Sequence, residues 1–499
     1  MKLTRLLHTL GISACGVSEE IEIGGIRVDS REVRVGDLFV ALTGAHADGH
    51  DYLEAAACAG AAAALVDRDL AFPPLPVFRV SSTVDSLREA AIAFYGDPSA
   101  RLRVTGITGT NGKTTITYLL EGILRAAGKV PAVIGTIDYR IGEKVLRKGL
   151  TTPFPHDLQA VMSEALAEGA SDLLMEVSSH SAAQGRIGGV RFDLGIFTNL
   201  TRDHLDFHGD MESYFRAKAR FFHEYLPFGG KETEIALNGD DPYGERLSRE
   251  FPSALTFGLS HERGVFPLEL EMSLEGCRMT LSTPGGPLPL RSRLVGAHNV
   301  SNIMAAVSGA LLLHIPLEAI VSGIESVRLI PGRLEPVKNE RGLRIFVDYA
   351  HTPDGMDRVL TTLRLLTDAR LITVFGCGGN RDRGKRPEMG RIAALRSDVV
   401  VVTSDNPRGE EPDAIIAEIL PGLASGGFIE ASGTAECDKG FYLAINNREK
   451  AIRAALSLAN ERDMVVIVGK GHENVQIIGD RSLPFDDREV VCDVLAQGG

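Results

Sequence analysis

Residues 106–115 read GITGTNGKTT, and glycine, lysine and hydroxyl side chains at this spacing are the parts of a phosphate-binding loop. Glycines let backbone N–H groups approach phosphate oxygens, and a helix starting where the loop ends adds partial positive charge. Lys113 then reaches the terminal phosphates of a nucleotide, and Thr114 offers its hydroxyl to a magnesium ion. The spacing departs from the common G-x-x-x-x-G-K-[ST] pattern. Counting back from Gly112, the first glycine should stand at Ile107, whereas the glycines are Gly106, Gly109 and Gly112.

Three other positions fit a phosphate and metal site. Glu176 closes the apolar run DLLME, at the kind of strand end where open parallel sheets place ligands. A carboxylate there suits a Mg2+ that bridges phosphates. The segment TNLTRDHLDFHG, 198–209, holds His204, Asp206 and His208. A histidine can complete such a site, although oxygen ligands suit magnesium better. Lys218 is the oddity, since it shares a helical face with Met211, Tyr214, Phe221, Phe222 and Tyr225. A lysine there either snorkels to water or, held inward, is desolvated and loses its proton. The neutral amine can take up CO2 as a carbamate, an acidic metal ligand made from a basic residue.

Four loops near the C-terminus carry a second chemistry. They are Asp348-Tyr349-Ala350-His351, Gly378-Gly379-Asn380-Arg381, Asp405-Asn406-Pro407-Arg408 and Gly469-Lys470-Gly471-His472-Glu473. Each follows an apolar run, and parallel strands would set all four along one edge. A cleft there holds two arginines and a glutamate, which suits a small zwitterion with an extra carboxylate.

The elements that must position these residues are legible as patterns. RLRVTGIT is a buried strand, and Ile116, Leu119, Leu120, Ile123, Leu124 and Ala127 mark the apolar face of a helix capped by Gly128. Strand, glycine turn and helix start are the context the loop requires. Before it, IRVDSREV and DLFVAL read as strands, YLEAAACAGAAAAL as an alanine-rich helix, and Leu3, Leu6, Leu7 and Leu10 as an amphipathic first helix rather than an export signal. DLLMEVSSH and FDLGIFTNLTRDH read as strands ending in polar residues, and the alternation in 265–295 predicts antiparallel hairpins. After LIPGRLEPV, 329–337, the runs LRIFVDYA, LITVFGCG, DVVVVTSDN and DMVVIVGKG alternate with helices, the pattern of a doubly wound parallel sheet.

With 499 residues the chain needs several cores. A net charge of −13 without a dense basic block speaks against nucleic acid or an anionic membrane as partner, and no apolar run is long enough for a membrane span. Cys15, Cys58, Cys277, Cys377, Cys437 and Cys492 are scattered without C-x-x-C spacing and read as free thiols of a reducing, cytoplasmic compartment.

Taken together, these residues resemble the Mur ligases, ATP-dependent amide-forming enzymes of peptidoglycan assembly, over essentially the whole chain. GTNGKTT is that family's own form of the phosphate loop. The resemblance implies an α/β, three-domain architecture: 1–100 binding a uridine nucleotide, 101–331 a central P-loop ATPase domain, and 332–499 a Rossmann-like domain for the incoming amino acid. It implies addition of a diamino acid to UDP-N-acetylmuramoyl-L-Ala-D-Glu, with ATP as co-substrate, Mg2+ as cofactor and a monomer as the working unit.

Residue by residue, the resemblance gives Ser30 and His46 to the uridine diphosphate, and Thr151, Thr152, Ser178, Gln184 and Arg186 to the muramoyl-dipeptide. Gly109, Thr110, Asn111, Gly112, Lys113, Thr114 and Thr115, with Asn299, Asn302, Arg333, Asp348 and His351, would bind ATP. Thr114, Glu176, His204 and a carbamylated Lys218 would serve the metal, and Lys113, Lys218, Glu176 and His204 the catalysis. Arg381, Asp405, Asn406, Pro407, Arg408, Gly469 and Glu473 would bind the diamino acid. The DNPR run matches the form that takes meso-diaminopimelate. Ala182 departs from the family, where SSHSL is common. The alternatives are the same reaction with L-lysine or another diamino acid, a folylpolyglutamate synthetase-like ligase, and a nucleotide-dependent switch without amide chemistry.

Overall fold

The computed structural model describes residues 1–44, 47–260, 262–431 and 440–497. Its contacts divide the chain into two compact units. The first comprises Met1–Thr108, Gly128–Gly195 and Ala217–Glu234, and the second Gly109–Ala127, Ile196–Arg216 and Ile235–Gly499.

The first unit begins with four short parallel strands in the order Ile26–Arg27, Leu38–Val40, Ala63–Val66 and Val77–Arg79. Both faces are apolar, as an all-parallel sheet requires. Leu38, Val40 and Leu65 pack with Leu3, Leu6, Leu7, Leu87 and Ala90 on one face, and Phe39, Ala64 and Val66 with Leu53 and Ala56 on the other. The first helix is therefore amphipathic as its leucine spacing predicts, running Leu3–Thr9. The alanine-rich segment is different. Only Leu53–Cys58 is helical, Gly60 turns the chain at φ +96°, and Ala63–Val66 is a central strand. Burial on both faces of the sheet overrides the helix propensity of alanine. IRVDSREV also gives less strand than expected. Asp29 accepts the N–H of Arg31 at 2.9 Å and bends Ser30–Glu32 into a 3-10 turn.

The same unit holds the strands Arg103–Thr108, Asp172–Glu176 and Pro131–Ile134, paired in parallel in that order, then the antiparallel strands Tyr139–Ile141 and Lys144–Arg147. DLLMEVSSH is a strand only as far as Glu176, since Ser179–Ala183 is a helix capped by Ser178, which accepts from Ser181 N–H. Gly106 lies inside the strand Arg103–Thr108, where a Cβ would stand 2.4 Å from the Phe221 ring and 2.9 Å from Phe192. The glycine that breaks the common loop spacing is thus a packing residue.

In the second unit the helix Lys113–Ala126 buries Ile116, Leu119, Leu120, Ile123 and Leu124, the predicted face, and Gly128 follows at φ +70°. Phe266–Ser273, Gly276–Ser282 and Leu288–Ser292 form the expected antiparallel hairpins. A seven-stranded sheet runs in the order Glu335–Pro336, Arg344–Asp348, Met464–Val468, Leu371–Phe375, Val399–Val402, Phe441–Ala444 and Ile429–Glu430. All its pairs are parallel except the first. Helices cover both faces: Met356, Leu360, Met389 and Ile419 pack on one, Ala451, Ile452, Leu456 and Val491 on the other. Among the described residues no helix is long and apolar enough to cross a membrane. Cys15, Cys58, Cys277, Cys377 and Cys492 are free, and Cys437 lies outside the described residues.

Candidate functional site

The phosphate loop is shaped by its neighbours in the second unit. Gly109 takes φ +147°, and a Cβ there would meet Thr198 Oγ1 at 1.8 Å; Gly112 takes φ +91°, and its Cβ would meet Asn302 Oδ1 at 2.3 Å. Both positions therefore require glycine. Asn111 donates its N–H to Asn199 Oδ1 at 3.0 Å and its amide to Asp354 Oδ2 at 2.9 Å. Thr110 Oγ1 lies 3.1 Å from the Tyr214 hydroxyl. Lys113 folds over the loop and donates to the carbonyls of Gly109 and Thr110, each at 2.9 Å. The helix Lys113–Ala126 starts without a side-chain cap, leaving its first amides open to an anion.

One cleft in this unit joins Asn111, Gly112, Thr114 and Thr115 to Asn299, Asn302, Arg333, Asp348 and His351. Arg333 donates to Thr114 Oγ1 at 3.3 Å and stacks on the Tyr349 ring at 4.7 Å. Asp348 accepts the N–H groups of Leu334 and Ala350 at 2.6 and 2.7 Å, and burial pushes its carboxyl up against the opposing pull of Arg333. His351 Nδ1 lies 2.8 Å from Tyr349 O, which makes Nδ1 the protonated nitrogen, and burial, then Lys385, holds its imidazole below the usual range. His204 caps the short helix Leu205–His208 at φ +54° with Nε2 3.3 Å from Asp203 Oδ2. Its loop companions serve elsewhere: His208 stacks on Tyr214 with centroids 5.0 Å apart, and Asp206 is exposed.

The ends of the parallel strands in the seven-stranded sheet build a second pocket in the same unit. Asn406 is its hub, with Nδ2 donating to Glu473 Oε2 at 2.9 Å and Oδ1 accepting from Lys470 Nζ at 3.1 Å and Ile477 N at 2.9 Å. Lys470 also donates to Glu473 Oε2 at 3.1 Å. Arg408 sits at φ +52°, uncommon for a residue with a side chain, and its Nη1 donates to Gly379 O at 2.9 Å. Burial, then the nearby Arg381, pulls the Arg408 guanidinium down. Gly469 needs its lack of a side chain, at φ +118° beside Asp405.

In the first unit, Ser30, Gln184 and Arg186 line one cavity of about 790 Å³ with Tyr52, Leu87 and Phe154. Arg186 donates to Thr152 O at 3.2 Å and lies 4.4 Å over the Phe154 ring. A hydroxyl network adjoins it. Thr152 Oγ1 donates to Glu176 O at 2.7 Å and accepts from Ser178 N at 3.1 Å. Thr151 lies 3.2 Å from Thr136, whose N–H and hydroxyl both donate to the Glu176 carboxylate, at 3.0 and 2.9 Å. His46 lies outside the described residues. Lys218, in the helix Met211–Arg220, is 2% exposed, so it is held inward rather than snorkelling, and a π-helical turn, Phe221–Tyr225, follows it.

Three family descriptions match the chain: Mur ligase middle domain over 107–310, the Mur ligase glutamate ligase domain over 332–471, and the Mur ligase catalytic domain over 22–94. A Geobacter metallireducens protein named UDP-N-acetylmuramoyl-L-alanyl-D-glutamate–2,6-diaminopimelate ligase is 46% identical over 500 residues, covering 99% of this chain and 98% of its own. The chain belongs to the Mur ligase family. A Gloeobacter violaceus protein of the same name is 42% identical over 100% of this chain and 98% of its own. A solved structure described by that name is similar at TM-score 0.68 and 30% identity, with 100% of both chains covered.

This Mur ligase keeps a buried polar atom without a hydrogen-bond partner among the described residues in each of the three regions: Arg333 Nε, Asp405 Oδ1 and Arg186 Nε. Such orphans are costly unless a ligand satisfies them. They fit a phosphate, an ammonium and an anionic or carbonyl oxygen respectively. Among the described residues no three His, Cys, Asp or Glu side chains gather to hold a cation by themselves. In the second unit the Thr114 hydroxyl is a hard oxygen of the kind that suits Mg2+ carried on phosphates. Sequence reasoning missed Lys470, Asn199, Thr136 and Tyr349. Lys470 had a signal, since a lysine closing the run MVVIVGK is at a strand end and is entirely buried.

Proposed function

We propose that this Mur ligase uses ATP to join meso-diaminopimelate to the γ-carboxylate of D-Glu in UDP-N-acetylmuramoyl-L-Ala-D-Glu. The observation that carries the choice of amino acid is one pocket holding Arg408 and Arg381 beside Asp405, Asn406 and Glu473. meso-Diaminopimelate supplies a carboxylate to the arginines and an ammonium to Glu473, Gly469 and Asp405, whose Oδ1 has no hydrogen-bond partner among the described residues. L-Lysine lacks that carboxylate, and a desolvated Arg408 left unpaired disfavours it strongly.

The D-Glu carboxylate attacks the γ-phosphorus of ATP, releasing ADP and leaving an acyl phosphate. The diaminopimelate amine attacks the acyl carbon, and the tetrahedral intermediate expels phosphate and leaves an amide. Lys113 and the amides of Gly112, Thr114 and Thr115 stabilise charge on the transferring phosphoryl group, while Gly109, Thr110 and Asn111 shape the loop around it, the last two by donating their N–H groups to Asn199. Arg333, fixed by Tyr349 and Thr114, adds a donor, while Asn299, Asn302, Asp348 and His351 complete the nucleotide cleft. Ser30 and His46 take the uridine diphosphate, and Thr151, Thr152, Ser178, Gln184 and Arg186 the muramoyl-dipeptide.

Thr114 and His204 would serve Mg2+, which when bound offsets phosphate charge, and the Glu176 carboxylate and a Lys218 carbamate are of the donor type such an ion takes. Lys218 suits carbamylation because burial favours the neutral amine, which adds CO2 and releases a proton. The substrates, ATP and a nucleotide-linked sugar peptide, make this a cytoplasmic reaction, and one chain carries a full set of binding groups, so the working unit is a monomer.

The test is phosphate release and amide formation with the muramoyl-dipeptide nucleotide and a panel of diamino acids. meso-Diaminopimelate should give the highest kcat/KM. Equal or better use of L-lysine would overturn the amino-acid assignment, and ATP hydrolysis without amide would overturn the ligase reading.

A further inference from the structure

Arg448 is a buried arginine that the reaction as described does not use. It opens the helix Arg448–Leu458 and is 1% exposed. Its Nε and Nη2 fork onto Asp487 at 2.8 and 2.7 Å. Its remaining donors go to two carbonyls: Nη2 to Val468 O at 3.1 Å and Nη1 to Ser404 O at 3.5 Å. Val468 immediately precedes Gly469, and Ser404 immediately precedes Asp405.

That placement is unfavourable for stability on general grounds. A cation at a helix N-terminus opposes the helix dipole, and a buried ion pair is often no better than an apolar pair of the same volume. The geometry shows what it does instead. The strands Met464–Val468 and Val399–Val402 are not neighbours, because Leu371–Phe375 pairs with both and lies between them. Strand pairing therefore does not join the starts of the loops that follow them, although Asn406 bonds Lys470, Glu473 and Ile477 further along. Where the middle strand ends, Gly376 lets the flanking chain close in: a Cβ there would stand 2.2 Å from Thr403 O and 3.0 Å from Asp405 N. Arg448 ties the two converging loops at their first carbonyls, and Asp405 and Glu473 both act on its charge.

We infer that Arg448 is a positioning residue for the amino-acid pocket, setting the separation between the Asn406–Arg408 loop and the Gly469–Glu473 loop and so their joint fit to the carboxylate and the ammonium on the distal carbon of the diamino acid. The inference rests on the proposed function, which assigns those loops to the carboxylate and the ammonium at one end of the substrate. Arg448 is buried and its donors go to Asp487, Val468 and Ser404, so its role is positioning rather than contact with substrate.

The test uses the full chain and two variants. Arg448→Lys keeps the charge but loses the fork. Arg448→Met with Asp487→Leu replaces the pair with apolar groups and keeps the core filled. Both should raise KM for meso-diaminopimelate by about 10- to 100-fold, with KM for ATP and for the nucleotide substrate changed by no more than about twofold. The preference for meso-diaminopimelate over L-lysine should shrink, and thermal unfolding of the double variant should stay close to that of the parent. Parallel changes in all three KM values, or unchanged KM for the amino acid in a folded variant, would overturn the inference. Failure of both variants to fold would overturn it as well, because Arg448 would then serve the core. If the unaltered protein does not turn over meso-diaminopimelate, the substrate assignment falls and takes this inference with it. Normal turnover with insensitive variants removes the inference alone.

Discussion

The nucleotide cleft and the amino-acid pocket share one unit but are made of different material. At the phosphate loop the groups proposed to face the ligand are Lys113 and the uncapped first amides of the helix Lys113–Ala126, and Gly109 and Gly112 let the loop pack against Thr198 and Asn302. At the pocket they are side chains, Arg381, Asn406, Arg408 and Glu473, delivered by separate strand ends and held by one another. A backbone cradle recognises phosphate whatever the acceptor is, since every residue supplies an N–H. A side-chain constellation recognises one arrangement of charges and rejects molecules that leave a member unpaired. The energy source and the choice of amino acid are therefore separable by mutation.

The largest effect should come from Lys113→Ala. Loss of the cation over the transferring phosphoryl group should lower kcat/KM by about 10³-fold with every amino acid tested, leaving their order of preference unchanged. A change in that order would break the division between the two regions. Arg408→Ala should do the opposite. Truncating one partner of a buried charge pair costs about 2–5 kcal/mol, so kcat/KM for meso-diaminopimelate should fall by about 10²-fold or more. KM for ATP should stay put, and L-lysine should lose much less. Substrate-by-substrate kinetics on both variants decide the matter.

The same contrast explains what the sequence revealed. The phosphate loop is one contiguous run with a strand before it and a helix after it, so local rules suffice to find it. The pocket residues are spread from Gly378 to Glu473, and only the expectation that parallel strands end along one edge, together with the resemblance, brought them together. Lys218 could be read because a charge on an aromatic helical face contradicts its surroundings. Lys470 and Arg448 were missed because a lysine or an arginine beside a loop looks like any solvated cation until the tertiary contacts are known. The strand Ala63–Val66 was read as helix because alanine favours helix locally, and its burial between two strands depends on residues far along the chain. The role of Gly106 was not legible for a related reason, since its partners Phe192 and Phe221 are remote in sequence.

Gly106→Ala sharpens that last point. Its Cβ would collide with two aromatic rings, and overpacking of this kind costs about 1–3 kcal/mol. Chemical denaturation should show that loss, while KM for ATP in the folded protein should stay within about twofold of the parent, since 106 lies before the cradle rather than in it. A selective loss of ATP affinity without a loss of stability would assign Gly106 to the phosphate site.

The smallest effect separates the two regions by charge. In the pocket, Lys470 is balanced by Asp405 and Glu473, at 3.8 and 3.1 Å. In the cleft, His298 faces Arg358 and Arg333, with Thr362 Oγ1 3.5 Å from its Nδ1, and burial followed by those two cations pushes its imidazole down from 6.5 to about 4. A depressed histidine binds fewer protons in the folded chain than in the unfolded one between these values. Its contribution is therefore complete above about 6.5 and is lost as pH falls towards about 4. The loss can be no steeper than about 1.4 kcal/mol per pH unit. His298→Gln removes the titrating group but keeps a polar side chain for Thr362. The difference in unfolding free energy between parent and variant should then shift against the parent as pH is lowered through that window, and be constant above it. A difference that stays flat down to pH 4 would mean that the cleft accepts a protonated His298 beside Arg358 and Arg333 without cost.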